Sequence, residues 1–154
     1  MNQSYISKEG WISKLDALRG STERILNLSP DWRASNGWDL KDLMIHLTAW
    51  DEEYLSILRS QIHKESYIPR FCRFSDYKKE EQMKFVNRWN NQILNDKRHL
   101  SFEKIRKYFI KTRQRVFREF GGIWSDDRGL SNDFALQISD LSAHDAEHIA
   151  KGIK

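Results

Sequence analysis

Two histidines near the end of the chain, His144 and His148, lie four positions apart. In an α-helix this spacing places both side chains on one face, with about 5–6 Å between their Cβ atoms. Two imidazole nitrogens at that separation reach one metal ion, to which each bonds at about 2.0–2.1 Å. Such pairs also occur in helices that bind no metal, so the spacing alone is a weak signal for a metal site.

The histidines lie at the border of an apolar face, which strengthens the signal. At about 100° per residue, His148 lies about 40° from His144, beside the apolar residues of the same segment. His46 is placed similarly, with Trp50 about 40° and Leu43 about 60° away. A cleft opens at such a border, and it does not open within the core or on a fully solvated face.

Acidic residues share the face of His46. Asp39, Asp42 and Glu53 fall within about 40° of it on the helical wheel. A carboxylate that accepts the second N–H of an imidazole orients the ring toward a metal ion. These residues alone leave a second interpretation open, in which His46 is a satisfied core histidine and the acids form a solvated face.

Five amphipathic segments position these side chains. Apolar residues recur every three or four positions, which predicts helices over about residues 7–27, 38–61, 78–95, 102–120 and 132–152. Pro30 and Gly121–Gly122 end two of them. The segment 66–77, aromatic and basic and containing Pro69, is interpreted as a long crossover loop. No alternating pattern predicts a strand, so the fold class is all-α.

Length and composition fit one intracellular domain. The 154 residues predict a single domain over 1–154. The one cysteine, Cys72, excludes an internal disulfide and fits a reducing compartment. The first residues lack the apolar core of a signal peptide, and no stretch approaches 18 apolar residues. We therefore expect a cytoplasmic protein that does not enter membranes.

The net charge of +4 permits attraction to anionic partners. Acidic and basic residues alternate, however, and the chain has no run of five like charges. This favours a mixed, solvated surface and disfavours, without excluding, a dedicated nucleic-acid face.

Other residues of types that take part in binding or catalysis give weaker signals of a functional site. Trp38, Trp50 and Trp89 line either a ligand pocket or the core; the core is favoured for Trp50. Trp89 with Asn90 is the better pocket candidate, because an amide beside an aromatic ring suits ligand orientation. His63 and His99 lack partners at useful spacing and are predicted to lie on the surface, and Cys72 is predicted to be a bystander.

Three segments resemble a known group of proteins. They are GWDLKDLMIHLTAWD at 37–51, RWNN at 88–91 and SAHDAEH at 142–148. In type and order they resemble the DinB-like superfamily of four-helix bundle proteins, and most of all its ClbS/DfsB branch. The resemblance implies an antiparallel four-helix bundle, often a homodimer. It also implies that His46, His144 and His148 hold a divalent metal ion: zinc, nickel, manganese or iron.

The resemblance suggests two functions. The first is a metal-dependent hydrolase or thiol transferase acting on an electrophilic or toxic small molecule. Asp42, Asp51 or Glu147 would accept a proton or support the metal ligands. The alternative is a metal-free protein of the ClbS/DfsB type that binds a small molecule or gives self-resistance. The chain departs from that branch at Asp145, where a tyrosine is usual; a buried carboxylate there needs a partner such as Arg88, Lys151 or a bound ion.

Overall fold

A computed structural model describes residues 5–64, 79–124 and 130–152. Within these ranges the chain is mostly helical, which confirms the all-α class. The helices are α1 (Lys8–Leu26), α2 (Leu40–His63), α3 (Lys79–Lys97), α4 (Phe102–Gly121) and α5 (Asn132–Ala150). The predicted crossover loop and Cys72 lie outside the described residues. No helix in the described ranges is both long and apolar enough to cross a membrane.

Two short strands are the element that the sequence did not predict. β1 (Tyr5–Ile6) and β2 (Leu130–Ser131) pair antiparallel, with Tyr5 opposite Ser131. Each strand has only two residues, which is too short to show the alternation by which a strand is recognised. The prediction that the chain has no strand is therefore wrong in this detail.

Serine side chains cap two helices. The hydroxyl of Ser7 accepts a hydrogen bond of 3.0 Å from the N–H of Gly10 at the start of α1. The hydroxyl of Ser131 accepts one of 3.3 Å from the N–H of Asp133 at the start of α5. Each bond satisfies an N–H that has no partner within its helix. The cap explains why α1 begins one residue later than predicted.

The chain divides into two compact units. The first unit contains residues up to 40 and from 113 onward, and the second contains residues 41–112. In the first unit α1 packs against α5. Its core includes residues from both helices, from the loop after α1 and from the end of α4: Trp11, Leu18, Ile25, Trp32, Phe120, Ile138 and Leu141. The single domain expected over 1–154 stays a prediction.

A tight turn before α2 ends in Trp38. The N–H of Ala34 donates to the carbonyl of Trp38, and the N–H of Gly37 donates to that of Ala34, both over 2.9 Å. Gly37 has φ of +87°, a conformation that glycine adopts without steric cost. Asn36–Gly37, a dipeptide typical of turns, lies within this turn, which fixes the backbone on which the Trp38 ring sits.

The second unit contains most of α2, all of α3 and part of α4, and residues 42–48 of α2 are all buried. Its core includes Leu43, Met44, Leu47, Leu55, Leu58, Trp89, Leu94, Ile105 and Phe109. Met83, which we expected on the apolar face of α3, is 54% exposed. At about 100° per residue it lies about 120° from Trp89, so it falls outside the face that Trp89 buries.

Candidate functional site

His144 and His148 form a close pair on α5. Their Nε2 atoms are 3.1 Å apart, and their ring centroids are 4.6 Å apart with planes at 83°. The four-residue spacing produces this contact directly, since it puts the two side chains one turn apart on the same face.

His46 lies in α2 and is 3% exposed. Its ring meets the edge of the Trp50 ring at a centroid distance of 6.1 Å. One ring nitrogen from each of His46, His144 and His148 lies within 4.8 Å of the other two. Three histidines that close together could bind a metal ion.

The separation of the α5 pair fits a shared metal ion. If two nitrogens 3.1 Å apart each bond one ion at about 2.0–2.1 Å, the angle at the ion is about 100°. This value lies between the angles of octahedral and tetrahedral coordination. The donor set, three imidazoles, suits zinc, nickel and iron better than magnesium or calcium, which prefer oxygen ligands.

Burial keeps the α5 histidines neutral. Desolvation, followed by the neighbouring His148, lowers the pKa of His144 from 6.5 to about 4. Desolvation, followed by Lys151, lowers the pKa of His148 as well. A neutral imidazole has the free lone pair that a metal ion requires, so both side chains are ready to bind near neutral pH.

The lowered pKa of His144 predicts a loss of stability in mild acid. Between pH 6.5 and about 4 the unfolded chain binds a proton at His144 that the folded chain does not, so acid favours unfolding. We expect chelator-treated protein to lose about 3 kcal/mol of unfolding free energy over this interval from His144. Urea unfolding at several pH values measures this. A His144→Gln variant with the same pH dependence would contradict the assignment.

Trp38 covers His148. The two rings are stacked, with centroids 5.9 Å apart and planes 11° from parallel. The turn at Gly37 holds Trp38 in this position, so the loop before α2 shields the end of the histidine pair. Trp38 was predicted to line a ligand pocket, and the structure places it against a predicted metal ligand.

Removing the Trp38 ring should raise the pKa of His148. Desolvation is the largest cause of its lowered pKa, and a Trp38→Ala variant admits water to the ring. Histidine ring signals followed by NMR titration measure the change in metal-free protein. Trp38→Phe keeps a stacked ring and should keep the pKa of His148 low. An equal pKa in the alanine and phenylalanine variants would show that Trp38 does not supply the desolvation.

Asp145, between the two histidines, has Arg113 as its partner. Arg113 Nη1 and Nη2 donate to the two Asp145 oxygens over 2.7 Å each, and Ser21 Oγ donates to Oδ2 over 2.6 Å. Arg113 Nη1 also donates to Thr22 Oγ1 over 3.2 Å. Asp145 is 0% and Arg113 is 2% exposed. This buried ion pair joins α5 to α4, and Ser21 joins it to α1.

Sequence reasoning predicted that Asp145 needs a partner but missed Arg113. The signal was present in α4, where Phe109, Val116 and Phe120 form the buried stripe. Arg113 lies four residues after Phe109 and three before Val116, so it falls within that stripe. A cation at such a position needs a buried carboxylate.

The three predicted proton acceptors have different surroundings. Asp42 is buried, and its two oxygens accept from Arg98 Nε and Nη2 over 2.9 and 3.1 Å. Asp51 is 0% exposed. Glu147 is exposed and pairs with Lys151 over 2.6 Å, and the hydrogen bond from Lys151 lowers its pKa. Their catalytic roles stay predictions.

Trp50, Trp89 and Asn90 lie in the second unit. The rings of Trp50 and Trp89 meet edge to face at 5.1 Å. Trp89 is 6% exposed. Among the described residues, neither its indole Nε1 nor Oδ1 of Asn90 has a hydrogen-bond partner, although both atoms are buried. Trp89 Nε1–H thus offers a hydrogen-bond donor and Asn90 Oδ1 an acceptor, as a ligand pocket requires. The pocket itself stays a prediction.

Comparison with known proteins assigns no family to this chain. No family model, no curated protein and no solved structure matches this chain.

Proposed function

We propose that the chain is a DinB-like antiparallel four-helix bundle in which His46, His144 and His148 hold a divalent metal ion. We further propose that it acts on an electrophilic or toxic small molecule as a hydrolase or a thiol transferase. The observation that carries this proposal is the approach of three ring nitrogens to within 4.8 Å of one another. The likeness of residues 37–51, 88–91 and 142–148 to the ClbS/DfsB branch supports it.

The histidines would act as neutral ligands and leave coordination positions open, which is the arrangement of a catalytic metal site. A bound divalent ion would lower the pKa of a water or thiol so that it attacks as hydroxide or thiolate. Trp38 would limit the access of bulk water on the His148 side. The Arg113–Asp145 pair would fix the rotation of α5 and thereby the direction of both of its histidines.

Asp42, Glu147 and Asp51 would have different roles in proton transfer and in supporting the site. Both oxygens of Asp42 are occupied by Arg98, so Asp42 would support α2 rather than transfer protons. Glu147 is exposed and its lowered pKa keeps it ionised, which makes it available to accept a proton but a weak base. Asp51, fully buried in α2, is the remaining candidate for a proton acceptor.

Metal analysis combined with product analysis tests the proposal. Protein purified without a histidine tag should contain about one zinc, nickel, manganese or iron per chain by elemental analysis. When it is incubated with a small epoxide, with and without a low-molecular-weight thiol, mass spectrometry should detect the water or thiol adduct. His144→Gln should lose both metal and product. Metal content near zero in the wild type and no uptake on reconstitution would reject the proposal.

A metal-free binding protein is the alternative, because the distance that fits a shared ion also fits a hydrogen bond between the two histidines. At 3.1 Å a neutral His148 ring could donate Nε2–H to the lone pair of His144 Nε2, which would satisfy the pair without an ion. A protein that binds the epoxide stoichiometrically, with no turnover and no metal, would support this alternative. The resemblance also suggests a homodimer, which sedimentation of the purified chain would test.

A further inference from the structure

The positive charge of the chain is concentrated in α4. This helix carries seven cations and two carboxylates, a net charge of +5, whereas the whole chain carries +4. The rest of the molecule is therefore close to neutral and slightly acidic. The mixed charge pattern seen along the full sequence does not hold for this helix.

Most of the cations in α4 form no ion pair or hydrogen bond with the rest of the described chain. Arg113 is buried against Asp145, and Arg115 lies 4.0 Å from Glu119. The side chains of Lys104, Lys107, Lys111 and Arg118 are exposed. Within the part of the chain that the structure describes, these four side chains form no ion pair and no hydrogen bond.

The four cations form a line along the helix. At about 100° per residue they fall within an arc of about 60°, and at about 1.5 Å per residue they extend over about 21 Å. We call this set, Lys104, Lys107, Lys111 and Arg118, the basic stripe. No carboxylate of α4 lies within the arc. Four like charges held on one rigid line repel one another unless an anionic partner neutralises them.

The opposite face of α4 indicates which anionic partner fits. Ile105, Phe109, Val116 and Phe120 are at most 1% exposed, so the apolar side of the helix is buried in the protein. A helix that binds a membrane surface needs that side for the lipid. A phosphate backbone needs only the line of charges, because it presents regularly spaced anions along its length.

We propose that the basic stripe binds the phosphate backbone of duplex nucleic acid without reading its sequence. The lysine ammonium groups and the Arg118 guanidinium contact successive phosphates and displace condensed counterions. The interaction is therefore strong at low salt and falls steeply as salt rises. It uses none of the three histidines and does not depend on their binding a metal.

Salt-dependent binding to a mixed-sequence DNA duplex tests this inference. Fluorescence anisotropy should show that the wild type binds, with an association constant that falls as salt increases. The variant Lys104→Gln/Lys107→Gln/Lys111→Gln should bind about tenfold or more weakly at low salt. Its log–log salt slope should be smaller by about 2.7, because each phosphate contact contributes about 0.9. An RNA duplex of the same sequence distinguishes the two nucleic acids.

A matched control variant distinguishes the effect of the basic stripe from the effect of the overall net charge. Arg24, Lys84 and Arg88 are exposed cations outside α4, and Arg24→Gln/Lys84→Gln/Arg88→Gln removes the same charge. This variant should keep most of the affinity and of the salt slope. Equal losses in the two variants, or no binding by the wild type at low salt, would overturn the proposal. So would binding to vesicles that contain phosphatidylserine without binding to either duplex.

Discussion

Replacing Asp145 with asparagine should lower the free energy of unfolding by about 3–5 kcal/mol, among the largest effects of any single substitution in this chain. The substitution leaves the Arg113 guanidinium buried at 2% exposure without a counter-charge. It also weakens the hydrogen bond that Ser21 donates. Urea unfolding followed by far-ultraviolet circular dichroism measures the difference at pH 7.

Arg113→Met should be about as damaging, because it leaves the Asp145 carboxylate unpaired. The double variant Arg113→Met/Asp145→Leu should recover much of the loss, since it removes both buried charges together. Asp16→Asn breaks an exposed pair with Arg19 and should change stability by less than about 0.5 kcal/mol. A double variant less stable than both single variants would show that packing, rather than charge pairing, dominates at this position.

Asp145 also shows how far the sequence predicts the structure. Asp145 lies about 100° from His144 on the helical wheel, toward the apolar face of the segment, which indicated burial and the need for a partner. This position could not identify Arg113, which lies 32 residues away on another helix. Helical periods describe each helix alone, and the partner of a buried charge depends on how helices pack.

The histidines show the same limit. The spacing of His144 and His148 predicted their contact, since both lie on one helix and i,i+4 geometry is local. His46 is on another helix, and only the resemblance of residues 37–51 to a known group connected it to that pair. The cover that Trp38 provides to His148 was not predicted, because it depends on a loop with a positive φ at Gly37.

Adding zinc or nickel to chelator-treated protein should raise its melting temperature by roughly 8–16 °C. An ion at a thousand times its dissociation constant stabilises the native state by about 4.1 kcal/mol. For a chain of this size each kcal/mol shifts the melting temperature by about 2–4 °C. Differential scanning calorimetry measures the shift. Manganese at the same concentration should give a smaller one, because imidazole sites bind it more weakly.

Single substitutions show which histidines are responsible for the zinc-induced rise in melting temperature. His46→Gln, His144→Gln and His148→Gln should each remove most of the zinc-induced shift, because each takes away one of three nitrogen ligands. His99→Gln is the matched control: His99 is exposed and should leave the shift unchanged. The comparison uses the shift within each variant, so any loss of stability that the substitution itself causes does not enter the result.

The His46 variant decides between a pair and a triad. If His46→Gln retains the full shift while the two α5 variants lose it, zinc binds only the pair whose Nε2 atoms are 3.1 Å apart. The three-histidine centre would then be wrong. If all three variants lose the shift, His46 is a ligand, because a buried imidazole that only packs against Trp50 would alter stability without altering the response to zinc. The response to zinc, rather than stability, therefore separates the two roles of His46.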